Sequence, residues 1–130
     1  RMELPEYFMK VSSKLLAADT SARHIISNDM ACLSWSLLQN RKFIASLDAI
    51  KIAVEADSLN EYAYITLPIA LVLNDHFDEA CKVYQKHYKD FMFNNLYKSN
   101  KLFYLEDINA LEKLGIKHPD FVRVRELLSR

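Results

Sequence analysis

The sequence predicts an all-α fold of about seven helices, and three observations carry that prediction. Its 130 residues include one glycine and three prolines, too few turn formers for a β-sandwich or an α/β domain of this size. Apolar residues recur at helical spacing along most of the chain. A shift of 34 residues brings Leu33 onto Leu67, Leu37 onto Leu71, Asn40 onto Asn74 and Phe43 onto Phe77, so one unit occurs twice between Met30 and Asp90. Each copy reads as an apolar helix, a short polar break, an aromatic residue and a second apolar helix.

In chain order, Pro5 to Ala17 forms an opening helix, with Pro5 suited to a first turn and Phe8, Val11, Leu15 and Leu16 on one face. Asp19, Thr20 and Ser21 offer capping side chains for the next helix. That helix either runs unbroken from about Ala22 to Asn40 or breaks near Asn28, and the unbroken form is adopted here. Helices of about Lys42 to Ala56, Asn60 to Asn74 and Phe77 to Lys89 follow. From Tyr84 to Tyr104 the composition shifts: seven of the chain's fourteen Tyr and Phe residues fall here, including Phe91, Phe93 and Tyr97. Rings in that number predict a loop folded back onto the repeats, because each buries substantial area when it packs. Leu102, Leu105, Ile108 and Leu111 then recur at three-residue spacing, Gly115 suits a helix C-terminus, and Pro119 opens a last helix with Phe121, Val124 and Leu128 on one face.

The duplicated unit resembles two consecutive tetratricopeptide repeats. The bulky, Leu and large places of that family's first helix are held by Met30, Leu33 and Leu37, then by Tyr64, Leu67 and Leu71. Phe43, Ser46, Ile50 and Ala53 answer the second-helix pattern, as do Phe77, Ala80, Tyr84 and His87. The resemblance implies a right-handed solenoid of helical hairpins: an N-terminal helical region over 1–26, repeats over 27–60 and 61–94, and capping helices over 95–130. One period back, Met9 and Ser12 fall at packing positions, as in the second helix of a decayed repeat. The departures are Ser34 and Pro68 at a first-helix glycine, Arg41 and Asp75 at a turn glycine, and His87 at a small packing position. Pro68 should kink the fourth helix or delay its start, and His87 should splay the last helix of the pair. The segment from Tyr104 to Phe121 looks like the closing segment after the last repeat of many large bacterial proteins, and Arg1 in place of an initiator methionine suggests a piece of a longer chain. A solenoid end needs such a cover for its apolar face.

Function in this family generally sits in the groove lined by the first helices. The resemblance places Asn28, Ala31, Trp35 and Leu38 there from one repeat, and Tyr62, Ile65, Ile69 and Val72 from the next. The family's basic grip on a C-terminal carboxylate is missing at these places. The expected ligand is therefore a partner protein or peptide docked through apolar side chains, with Trp35 and Tyr62 as anchors. Alternatively the chain's own tail fills the groove and the segment is structural, pairing with a second copy. A third reading sets Lys82, Lys86, Lys89, Lys98 and Lys101 among the rings as a single-strand nucleic-acid strip, but the strip lacks arginine.

Formal charge is balanced, 17 basic against 17 acidic residues, which gives no long-range pull on nucleic acid or anionic membrane. No apolar run approaches the roughly 20 residues of a membrane span. Cys32 and Cys81 sit among apolar neighbours and read as buried free thiols, which leans toward a reducing, cytoplasmic setting. His24, His76, His87 and His118 have no metal-ligand spacing, and no glycine-rich phosphate loop exists. Asp19, Asp29, Glu106 and Asp107 read as capping or first-turn acids. No enzymatic activity and no cofactor is expected.

Overall fold

The computed structural model describes residues 3–90 and 98–130, and every regular element among them long enough to name is a helix. These are α1 (Leu4–Ala17), α2 (Thr20–Gln39), α3 (Phe43–Ala56), α4 (Glu61–Leu73), α5 (Phe77–His87), α6 (Asn100–Lys113) and α7 (Asp120–Leu128). Consecutive helices pack α2 with α3, α3 with α4, α4 with α5 and α6 with α7. Alternate helices also meet, α2 with α4, α4 with α6 and α5 with α7, while α1 lies against α2 and α3.

The two sequence copies end their first helices in the same way. Arg41 and Asp75 both adopt positive φ, 62° and 63°. The amide of Arg41 donates to Leu38 and that of Lys42 to Leu37; 34 residues on, Asp75 donates to Val72 and His76 to Leu71. These are Schellman turns, which satisfy the last carbonyls of a helix through one left-handed residue. A third closes α6: Gly115 has φ 80°, its amide donates to Glu112, and that of Ile116 donates to Leu111. Leu111 thus takes the place of Leu37 and Leu71, 40 residues beyond the latter. Counted with that longer step, Asn100 answers Asn60 and Tyr104 answers Tyr64. This third turn therefore lies six residues off the 34-residue period.

Caps and serines fix how the first helices stand. Asp19 accepts from the Ala22 amide at 2.8 Å, so α2 starts at a side-chain cap and runs unbroken to Gln39. Ser34 and Ser46 are fully buried where α2 crosses α3, and each hydroxyl donates to the other residue's carbonyl, at 2.8 and 3.0 Å. Small side chains with satisfied hydroxyls let the two backbones approach without a glycine. In the second copy the same two places hold Pro68 and Ala80, both buried.

Several sequence expectations change. Helix α4 begins at Glu61 without delay and runs through Pro68 to Leu73. The carbonyl of Tyr64, which Pro68 leaves without an amide partner, instead accepts the Tyr104 hydroxyl at 3.0 Å. His87 stacks on Tyr64 with ring centroids 4.6 Å apart, so it packs as an aromatic where a small residue was expected. In α1 the buried residues are Phe8, Val11 and Leu15. Leu16 and Met9, 91% and 71% exposed, lie off that face, and Ser12 is exposed too, because the buried stripe runs through Phe8, Val11 and Leu15. Phe43 and Phe77 are only partly buried against the core, since each opens its helix at the turn and has neighbours on one side. Cys32 is exposed and Cys81 half-buried. Asp29 lies in mid-helix, and because α6 starts at Asn100, Glu106 and Asp107 fall in its second turn. Phe91, Phe93 and Tyr97, with the loop expected to fold back there, lie outside the described residues.

Candidate partner-binding groove

Helices α2, α4 and α6 line an open cavity of about 470 Å³. From α2 come Asn28, Ala31, Cys32, Trp35 and Ser36, residues that share one stripe because they recur at three- and four-residue steps. Tyr62, Ile65 and Thr66 face them from α4 by the same spacing. Phe103 and Asp107, one turn apart on α6, close the remaining side.

Five of the eight groove positions named from the sequence meet on this wall: Asn28, Ala31, Trp35, Tyr62 and Ile65. Leu38, Ile69 and Val72 do not. They are buried in the packing between helices and offer a ligand no surface. Asn28 is also structural, because its side-chain oxygen accepts from Asn60 at 3.0 Å. Asn60 donates as well to the buried Ser27 hydroxyl at 2.8 Å and accepts the Tyr62 amide at 3.1 Å. One buried asparagine thus caps α4 and ties it to α2, setting the distance between the Trp35 and Tyr62 walls.

The α6 side was not legible as part of the site. Phe103 reads as one ring among many, and Asp107 as a first-turn acid. What puts them there is the pairing of α6 with α4, held by Tyr104 on the Tyr64 carbonyl and by the edge-on pair Tyr84–Tyr104, with centroids 4.7 Å apart. Burial holds both phenols well above their usual range, so they remain neutral donors. Asp107 is partly buried, and its carboxyl is pushed up to about 7, chiefly by burial, then by neighbouring Glu106, against the pull of Lys98. Among the described residues no hydrogen bond or ion pair reaches that carboxylate.

The five lysines of the strip differ in their surroundings. Lys82, Lys86 and Lys89 are exposed, with Lys89 over the Tyr88 ring. Lys98 pairs with Glu106 at 2.7 Å and sits 4.2 Å over Phe103. Lys101 donates its backbone amide to Tyr88 at 3.0 Å. Tyr84 and Tyr104 are core, so their faces are closed to bases. The histidines differ likewise: His24 pairs with Asp57, His87 stacks on Tyr64 and lies near Asp90, and His118 bridges Asp75 and Asp120. Among the described residues no group of three or more His, Cys, Asp or Glu is placed to hold a metal ion, and no helix is long and apolar enough to cross a membrane. Burial, first among several influences, raises the Cys81 thiol above its ordinary value, away from the thiolate form. Compared with known proteins, the chain matches no protein-family model, no curated protein and no solved structure.

Proposed function

We propose that this chain is a tetratricopeptide-like scaffold module that binds a partner polypeptide in the groove between α2 and α4. The architecture in this reading is a solenoid of three helical hairpins, with α1 against the first. It is supported by the 34-residue repeat and by the shared Schellman turn after α2, α4 and α6. The docking reading is carried by one observation: Trp35 and Tyr62, with Tyr62 51% exposed, line opposite walls of a mainly apolar cavity large enough for several side chains. Aromatic side chains that line an apolar pocket are the usual anchors of polypeptide recognition. No bond is made or broken; affinity comes from burying the partner's apolar side chains.

A second reading has one observation in its favour. The chain's own α6 already supplies Phe103 and Asp107 to the cavity, as a partly self-filled structural segment would. Capture of partners by the wild type and by the Trp35→Ala/Tyr62→Ala double variant, followed by titration of each purified partner, separates the two. Docking predicts at least a tenfold loss of affinity in a double variant whose helical circular dichroism is unchanged. Equal affinity for both proteins rejects the groove. A stable dimer in light scattering that the double variant retains, with no partner titrating, establishes the structural reading.

A further inference from the structure

We infer that the cavity between α2, α4 and α6 selects a basic side chain of the docked polypeptide, its cationic nitrogen at Asp107 and its methylene stem against Trp35, Tyr62, Phe103 and Ile65. The inference rests on the docking reading above and adds the chemistry of the occupant.

Among the described residues Asp107 is the one charged side chain on the cavity wall. Among the described residues the rest of the lining is apolar, aromatic, or of small polar and amide groups, so the wall offers a single carboxyl, partly ionised near neutrality, in a largely apolar setting. A carboxylate in that position is stabilised by an opposite charge that arrives with its own apolar stem, because such a stem covers the walls while its head meets the acid. Among the described residues no cation is paired with Asp107. Lys98, the basic group that acts on Asp107, is bound to Glu106 and rests over the ring of Phe103. The cavity rings add a second attraction, since a cation is drawn to an aromatic face, and Phe103 already receives one such cation on its Lys98 side. A carboxylate-bearing partner side chain meets repulsion at Asp107, so the site also discriminates by sign.

Trp35 is the single tryptophan of the chain, and its emission reports on the cavity directly. The probes are three helical leucine–alanine dodecapeptides that differ at one central residue: lysine, norleucine or glutamate. The lysine peptide is expected to bind the wild type about tenfold more tightly than the norleucine peptide, with the glutamate peptide weakest. That preference should vanish in Asp107→Asn and reverse in favour of norleucine in Asp107→Leu, each variant first checked for unchanged helicity. A norleucine peptide that binds the wild type as well as the lysine peptide overturns the inference and leaves apolar docking standing. So does a lysine preference that survives Asp107→Asn, because the selecting charge then lies elsewhere. Should no peptide bind or alter Trp35 emission, the docking reading falls together with the inference. Should the Asp107 variants fail to fold, the ranking of the three peptides on the wild type decides alone.

Discussion

At the scale of single residues, Pro68 and Tyr104 form a matched pair separated by 36 positions. Proline removes the amide that would have reached the Tyr64 carbonyl, and the Tyr104 hydroxyl takes its place at 3.0 Å. Tyr104→Phe should therefore cost about 1–3 kcal/mol, the range for stranding a buried polar group. Denaturant midpoints for Tyr104→Phe in the wild type and in Pro68→Ala test the pairing. The cost should shrink in the second background, where the alanine amide reaches Tyr64 again.

Asp107 gives a second residue-scale prediction, with a definite sign. Its folded carboxyl titrates near 7, raised by burial and by Glu106, while the unfolded group titrates at the ordinary carboxylate value near 4. Between about pH 4 and pH 7 the folded chain holds more of this proton than the unfolded chain, so the contribution of Asp107 to stability declines as pH rises. The groups that act on it are Glu106, which raises the carboxyl, and Lys98, which lowers it; the phenols of Tyr84 and Tyr104 also lie within reach of its charge. Asp107→Asn should remove that decline and gain on the order of 2–4 kcal/mol near neutrality. Parallel pH–stability curves for variant and wild type would contradict it.

At the scale of elements, the turns do most to hold the helices in order. Gly115 takes φ 80°, where a side chain is strained, and a Cβ there would lie 3.4 Å from the Arg41 guanidinium. Gly115→Ala is expected to lower stability by about 1–2 kcal/mol, read as a shift of the denaturant midpoint. The other two left-handed residues are cross-linked to the third turn and to the segment after it. Arg41 donates to the Leu114 carbonyl at 2.9 Å, and Asp75 pairs with His118 at 2.8 Å. At the opposite ends of the helices Arg23 gathers three carbonyls, Leu15 of α1 and Glu55 and Ala56 of α3. Its planar fork suits that task, and a lysine cannot reproduce it. Phe77 is half-covered by Arg123, whose guanidinium lies 3.7 Å from the ring centroid. Phe77→Ala should accordingly cost about 1–3 kcal/mol, short of the 3–5 kcal/mol of a fully enclosed aromatic.

At the scale of the whole molecule, α6 and α7 belong to the core. Tyr104, Ile108, Leu111, Phe121, Val124 and Leu128 are all buried, and the first of them completes the hydrogen bonding of α4. Removing residues 98–130 should strip the cover from α4 and α5, redden Trp35 emission through loss of Phe103, and broaden thermal unfolding. A truncated chain that keeps both the wild-type emission and a sharp transition would show that α6 and α7 are an appendage.

Helical periodicity, the near absence of glycine and the 34-residue shift were enough to predict seven helices, their order and most of their ends, because these depend on neighbours within a few turns of chain. The buried face of α7 was legible for the same reason, and so were the Asp19 cap and the Gly115 turn. Five groove positions were reached through the tetratricopeptide resemblance, which assigns places along each first helix. The resemblance could not tell that Leu38, Ile69 and Val72 lie under other helices, or that Phe43 and Phe77 keep a face toward solvent. The partner of the Tyr64 carbonyl, the third turn at its six-residue offset and the arrival of Asp107 on the cavity that Trp35 lines were decided only in three dimensions. Each depends on which helices pack together across tens of residues, and a side chain's chemistry does not record what the rest of the chain will set against it.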